Sequence, residues 1–405
     1  MLSPRTSLCW NLVYGFTVLM FLIVPNLDPD SLCAGADQKI ASANSHGLQD
    51  ADRQTQGVEQ TIVFNAGQDG YHTYRIPALI VTKKGTLLAF CEARKNNSKD
   101  YGDIDLVLKR SSDNGQTWSR QQIVHEEGGQ KNIAIGNPCP VVDQTTGVIW
   151  LPFNRNNSDV LVTHSKDDGK TWAKPINITK SVKKPTWGWY ATGPGVGIQL
   201  QRGPHKGRLV IACDHRKASK RSTPSSSHVF FSDDHGKTWE LGGTVAEYTN
   251  ECQLIERTNG DLLINMRNYA FRADGKRRHS GIRAVSLSKD GGKTWGPIYF
   301  DKTLIEPVCQ ASLIRYRWPA ANRKGILVFG NPASKTRREN LTIRLSYDDG
   351  NTWAHSRTLN KGPSAYSCLA KLPDGSIGCL YETGNRLYRE IRFAKFPLEW
   401  VEGGR

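Results

Sequence analysis

From residue 61 onward, short apolar runs rich in β-branched and aromatic residues alternate with clusters of turn-forming residues. The runs at 78–81, 86–91, 103–109, 148–153, 160–163, 207–213, 229–232, 261–265, 326–329, 341–346 and 377–381 have strand length. Turn signals such as Lys84-Gly85, Thr146-Gly147, Asn259-Gly260 and Asp374-Gly375 separate neighbouring runs, and no sustained helical period interrupts them. This pattern predicts strand after strand, paired antiparallel in an all-β fold.

The first 60 residues follow a different pattern. An apolar run at 12–24 follows Arg5 and is short for a membrane span, so residues 1–36 read as a signal peptide ending near Ala34-Gly35-Ala36, or as an uncleaved membrane anchor. Either reading implies export, to the periplasm, the cell surface or the medium. Residues 37–60 are polar and aperiodic and are expected to form a flexible linker, which leaves 61–405 as the folded domain.

A repeat refines the fold class. The sequence Ser-x-Asp-x-Gly-x-Thr-Trp starts at residues 111, 165, 232, 288 and 346, with spacings of 54, 67, 56 and 58. Such a period suits one four-stranded blade with its loops. In each copy the Asp can accept backbone N–H groups across a turn, the Gly can take a positive φ and the Trp can cover a blade core. The 349 residues from Gly57 onward, at about 59 per unit, make six blades, one of them without a complete box. The expected architecture is therefore a six-bladed β-propeller.

Composition narrows the chemistry. With 54 Lys+Arg against 38 Asp+Glu the formal charge is +16. Basic stretches at 217–221 and 276–279 invite a nucleic-acid reading, but no nucleic-acid motif accompanies them, and a positive field that draws anionic glycans fits better. Of nine cysteines, Cys9 and Cys33 fall in the leader; the other seven lie singly, without CxxC spacing. They read as buried thiols, with one incidental disulfide as the alternative, and neither a metal site nor a cofactor is expected.

The motif Tyr74-Arg75-Ile76-Pro77, followed by Phe90-Cys91-Glu92-Ala93-Arg94 and combined with the five boxes, resembles the exo-α-sialidases, both secreted bacterial and lysosomal animal kinds, over residues 63–400. That resemblance implies an enzyme removing terminal α-linked sialic acid from glycoproteins, glycolipids and oligosaccharides. Its partners would be sialylated glycans, with no nucleic acid involved. A sialic acid carries a carboxylate at its anomeric carbon, and planar guanidinium forks suit it better than ammonium groups. Arg75, Arg267 and Arg338 match the family's arginine cradle, with Arg337 a rival for the last. The resemblance also implies Tyr366 as nucleophile, Glu251 as its base and Asp100 as general acid; Asp103 and Asp105 are close rivals for the acid, but their positions at and in the next strand suit structural roles. Glu382 matches a carboxylate that steadies Arg75, and Arg94 an arginine at the sugar's hydroxyl edge. Trp187 and Trp189 line the pocket or belong to the core, while Asp214 and His215 are candidates for the glycerol tail. Transfer of sialic acid to another sugar, or binding without cleavage, are the competing functions.

Overall fold

The computed structural model describes residues 57–218, 224–269 and 281–403. The expected leader, most of the linker, Cys9, Cys33 and the basic stretch at 276–279 lie outside the described residues. Among the described residues, 26 strands form six antiparallel sheets, and the helices are two short segments, Thr179–Val182 and Leu398–Glu402. No described helix is long and apolar enough to cross a membrane.

Each sheet is one blade. Blade I runs Thr73–Val81, Leu87–Arg94, Ile104–Ser111, Gln122–His125 from the inside outward, and the first strands of successive blades touch around a common axis. In blades II and III the innermost strand is split into two short pieces. The hydrophobic core lies between neighbouring blades. Val210, Val229 and Phe231 of blade III, for example, pack with Leu254, Ile264 and Met266 of blade IV. The seven cysteines expected to be buried thiols are buried and free.

Blade VI closes the ring. Its strands Ser367–Lys371, Ile377–Thr383 and Glu390–Phe396 are completed by Glu59–Asn65 from the other end of the chain, with Glu59 opposite Lys395 and Asn65 opposite Glu390. This strand starts two residues inside the stretch expected to be linker, because pairing with the 390–396 strand orders a polar segment that has no apolar period of its own. Closure also explains the missing box. Every box occupies the turn from the third to the fourth strand, and in blade VI those strands are not consecutive in the chain.

The boxes perform the roles their residue types suggest. In the first, the Ser111 hydroxyl donates to Asp113 at 2.7 Å and accepts Gly115 N–H at 2.9 Å, while Asp113 accepts the Thr117 N–H at 3.0 Å. The four other boxes repeat these bonds. Gly115 has φ +87°, and a Cβ there would sit 2.1 Å from the Phe393 ring, so both conformation and space demand glycine. Two of the box Trp residues cover the core edge-on: Trp118 meets Phe393 and Trp239 meets Phe230 with ring centroids 5.4 and 5.3 Å apart.

Candidate active site

Antiparallel pairing puts Ser111 of the first box opposite Leu87, and Arg94 opposite both Thr73 and Ile104. The starts of first strands, the ends of second strands and the loops that follow them therefore share the end of the propeller away from the boxes. Arg75, Arg94, Asp100, Glu251, Arg267, Arg338, Tyr366 and Glu382 lie there, drawn from blades I, IV, V and VI.

Two β-bulges aim the key side chains. In blade I, Arg75 pairs with Glu92 and Ala78 with Phe90, so Ile76 and Pro77 together oppose Cys91. Pro77 has no N–H to lose in a bulge, and Ile76 takes φ 63°, a strained value for a β-branched residue that the surroundings must hold. In blade IV, Thr249 pairs with Asn268 and Cys252 with Met266, so Asn250 and Glu251 oppose Arg267. That bulge brings Glu251 Oε2 to 2.7 Å from Arg267 Nη1.

The buried Glu382 carboxylate organises the seam between blades I and VI. Arg75 Nε and Nη2 donate to its two oxygens at 3.0 and 3.2 Å, the Ile76 N–H donates at 2.8 Å and the Tyr366 N–H at 3.1 Å. A buried carboxylate is tolerated when so many donors satisfy it. The remaining Arg75 Nη1 reaches Asp100 Oδ1 at 3.3 Å, and Arg94 Nη1 meets the same oxygen at 2.9 Å. Arg94 is in turn held by Glu92, through contacts of 3.0 and 2.6 Å, and by the Ser98 carbonyl at 2.6 Å.

Tyr366 projects its hydroxyl between opposite charges. It donates to Glu251 Oε1 and accepts from Arg267 Nη1 at 3.1 Å, while the guanidiniums of Arg75 and Arg338 lie 5.1 and 5.5 Å from its ring centroid. Burial, reinforced by the Glu251 charge, pushes the phenol well above its ordinary pKa in spite of Arg267 and Arg338. Tyr366 is therefore a neutral phenol already bonded to a base. Asp100 shows the reverse balance. Burial works against its ionisation, but Arg94 and Arg75 outweigh it and hold the carboxyl below the usual range.

These groups surround a cavity of about 250 Å³ lined by Arg94, Asp100, Glu251, Arg267 and Tyr366, and extended by Trp189, Asp214 and Tyr269. Arg338 donates to the Tyr388 hydroxyl at 2.7 Å and lies 5.5 Å from the Tyr366 ring centroid, whereas Arg337 is exposed and pairs with Glu339, so Arg338 is the one beside Tyr366. Asp103 and Asp105 are buried on the Lys95 ammonium at 3.1 and 3.3 Å, and Asp105 accepts the Tyr71 hydroxyl; neither faces the cavity. The aromatic pair divides: Trp187 stacks on His215 in the core, and Trp189 lines the cavity with its Nε1–H donated to Asp214 at 3.2 Å. Burial and then the Glu251 charge raise the Asp214 carboxyl to about 7. His215 thus belongs to the core, while Asp214 underlies the pocket.

Sequence reasoning missed Tyr388, whose ring lies 4.0 Å under the Arg75 guanidinium and whose hydroxyl takes the Arg338 bond. It sits in a turn at φ 67°, and nothing periodic marks it. Glu92 was missed as well, although residues two apart on a strand share a face and Glu92 and Arg94 do so here.

Residues 77–379 match the family model described as a BNR repeat-like domain. The chain is 36% identical over 369 residues to a sialidase of Micromonospora viridifaciens, covering 85% of this chain and 54% of that relative. It therefore spans just over half of that relative's length. It is 32% identical over 369 residues to sialidase-2 of Mus musculus, covering 82% of this chain and 93% of the mouse protein. Among solved structures, the Hadza microbial sialidase Hz136 superposes with a TM-score of 0.75 at 34% identity, over 84% of this chain and 69% of that one.

Proposed function

The chain belongs to the sialidase family, and on that premise we propose that it is an exo-α-sialidase, hydrolysing terminal α-linked sialic acid with retention through a tyrosyl intermediate. The observation that carries this reading is the Tyr366 hydroxyl donating to Glu251 beneath three converging arginines. The substrate carboxylate is bound by Arg75, Arg267 and Arg338, whose forks form paired, charge-assisted bonds. A carboxylate nucleophile would meet repulsion at a carbon that already bears one; a neutral phenol does not. Sialidases are the recognised tyrosine exception among glycosidases.

In the first step the Tyr366 oxygen bonds to the anomeric carbon as its proton passes to Glu251, and the glycosidic oxygen departs with a proton from Asp100. Asp100 must be protonated to do this, yet Arg75 and Arg94 favour its ionised form. The incoming carboxylate competes for Arg75, weakens that contact and raises the proton affinity of Asp100 where the proton is needed. In the second step Asp100 takes a proton from water, the hydroxide bonds to the anomeric carbon, and Tyr366 leaves with its proton returned from Glu251.

The test is to incubate the protein with α2,3- and α2,6-sialyllactose and follow the first-formed product by NMR, then to trap the enzyme with a fluorinated sialoside and map the adduct. The expected outcome is α-configured free sialic acid and a label on Tyr366. An inverted first product, or a label on Glu251, overturns the mechanism. Added lactose separates hydrolysis from transfer, because a transferase returns sialic acid to the lactose.

A further inference from the structure

The innermost strand of blade IV, Thr249–Glu256, turns two consecutive side chains toward one cavity. In a regular strand neighbours face opposite sides, yet Asn250 and Glu251 both line the cavity, which the bulge opposite Arg267 allows. The aim of Glu251 at the Tyr366 hydroxyl is therefore only as fixed as that bulge. Blade III holds it from outside the strand. The Ser227 N–H donates to the Thr249 hydroxyl at 2.8 Å, the Ser227 hydroxyl donates to the Asn250 carbonyl at 2.5 Å, and Asn250 Nδ2 donates to Asp214 Oδ2 at 2.6 Å. Asp214 and Ser227 stand opposite each other in paired strands of that blade, and both are fully buried.

Asp214 takes no part in the two chemical steps, and its bonds give it another use. Its Oδ2 accepts from both Asn250 and Trp189, at 2.6 and 3.2 Å, while its Oδ1 is buried with no hydrogen-bond partner among the described residues. A carboxyl so placed is an acceptor that ties two cavity side chains to blade III. Burial, followed by the Glu251 charge, favours its protonated form, which adds no second charge beside the base. Resting on the hydrolase reading above, we propose that Asp214 is a positioning residue for proton transfer: through Asn250 it holds the bulge that points Glu251 at Tyr366. It forms no bond with the substrate.

The test measures kcat and KM for sialyllactose in Asp214→Ala, Asn250→Ala, the double variant and Asp214→Asn. Each single alanine variant is expected to lower kcat about tenfold, as for a catalytic group whose aim is loosened, with KM within about twofold because the arginine cradle is untouched. The double variant is expected to be no slower than the slower single one, since the two side chains form one tie. Asp214→Asn keeps an oxygen for both donors and gives up no bond at Oδ1, so it is expected to recover most of the turnover. Losses that multiply in the double variant, or an Asp214→Asn as slow as Asp214→Ala, overturn the proposal. A near-normal kcat in Asn250→Ala does so even where Asp214→Ala fails to fold. Direct contact with the glycerol chain is read with a sialoside whose chain has been shortened by periodate: a loss in Asp214→Ala that vanishes on that substrate also overturns the positioning role. Wild-type protein that leaves sialyllactose uncleaved overturns the hydrolase reading and the proposal with it, a result distinct from all of these.

Discussion

At the end of the propeller where third strands turn into fourth strands, the same side chains make the same bonds five times. At the opposite end no two blades contribute the same set of groups. The box bonds close within eight residues, so each turn satisfies its own polar groups locally and passes only a Trp ring to the core. The site bonds span the chain: Arg75 and Glu382 are 307 residues apart, and Tyr366 and Glu251 are 115 apart. Local satisfaction stabilises a turn wherever it is repeated. Long-range satisfaction needs the ring to be closed first, and it leaves charges whose remaining donors point at a ligand. The division assigns stability to one end and chemistry to the other.

The largest expected effect tests the chemical end. Tyr366→Phe removes one oxygen and keeps the ring against Arg75 and Arg338. Turnover of sialyllactose is expected to drop by about 10³-fold or more, as for other enzymes that lose a nucleophile. The melting temperature is expected to stay within about 2 °C of wild type, because no core contact is lost. Steady-state kinetics beside calorimetry checks both. A variant that melts early and still turns over would break the contrast.

The mirror experiment is Trp239→Ala in the third box. Trp239 is buried and packs on Phe230 and Trp150, so its truncation is expected to cost about 3–5 kcal/mol of stability. Turnover per folded molecule is expected to remain within about twofold of wild type, since nothing in the third box touches the cavity. Loss of turnover in protein still folded by circular dichroism would mean that the two ends are coupled.

The same contrast explains what was legible in the sequence. The boxes were readable because local satisfaction requires local residues in fixed order, and the second and third strands of several blades because both their faces are buried. Edge strands such as Tyr299–Ile305, mostly exposed, carry little apolar signal, and neither that strand nor Glu59–Asn65 was anticipated. At the site, Arg75, Glu251 and Tyr366 stood in motifs that a family resemblance could reach. The choice of Arg338 over Arg337 depended on which side of the turn faces Tyr388, and the part played by Tyr388 depended on a contact between blades V, VI and I. Neither is written in any local pattern.

The smallest effect tests the electrostatics of the box end. Hydrogen bonds from the Thr117 hydroxyl and then its N–H lower the Asp113 carboxyl from 3.8 to about 2, and Thr171 does the same for Asp167. A carboxyl whose folded pKa is depressed binds its proton more weakly folded than unfolded. Its contribution to stability is therefore complete above the unfolded value of 3.8 and is lost as pH falls through about 2. The melting temperature of the wild type should decline across that window. In Asp113→Asn the amide oxygen can still accept from Thr117 but has no proton to gain there, so the variant should melt slightly below wild type at neutral pH and lose less on acidification. The two curves should converge near the bottom of the window, and scanning calorimetry from neutral to acid pH reads the convergence directly. Parallel curves would mean that the box aspartates hold their turns by shape alone, and the end that repeats would then owe nothing to charge.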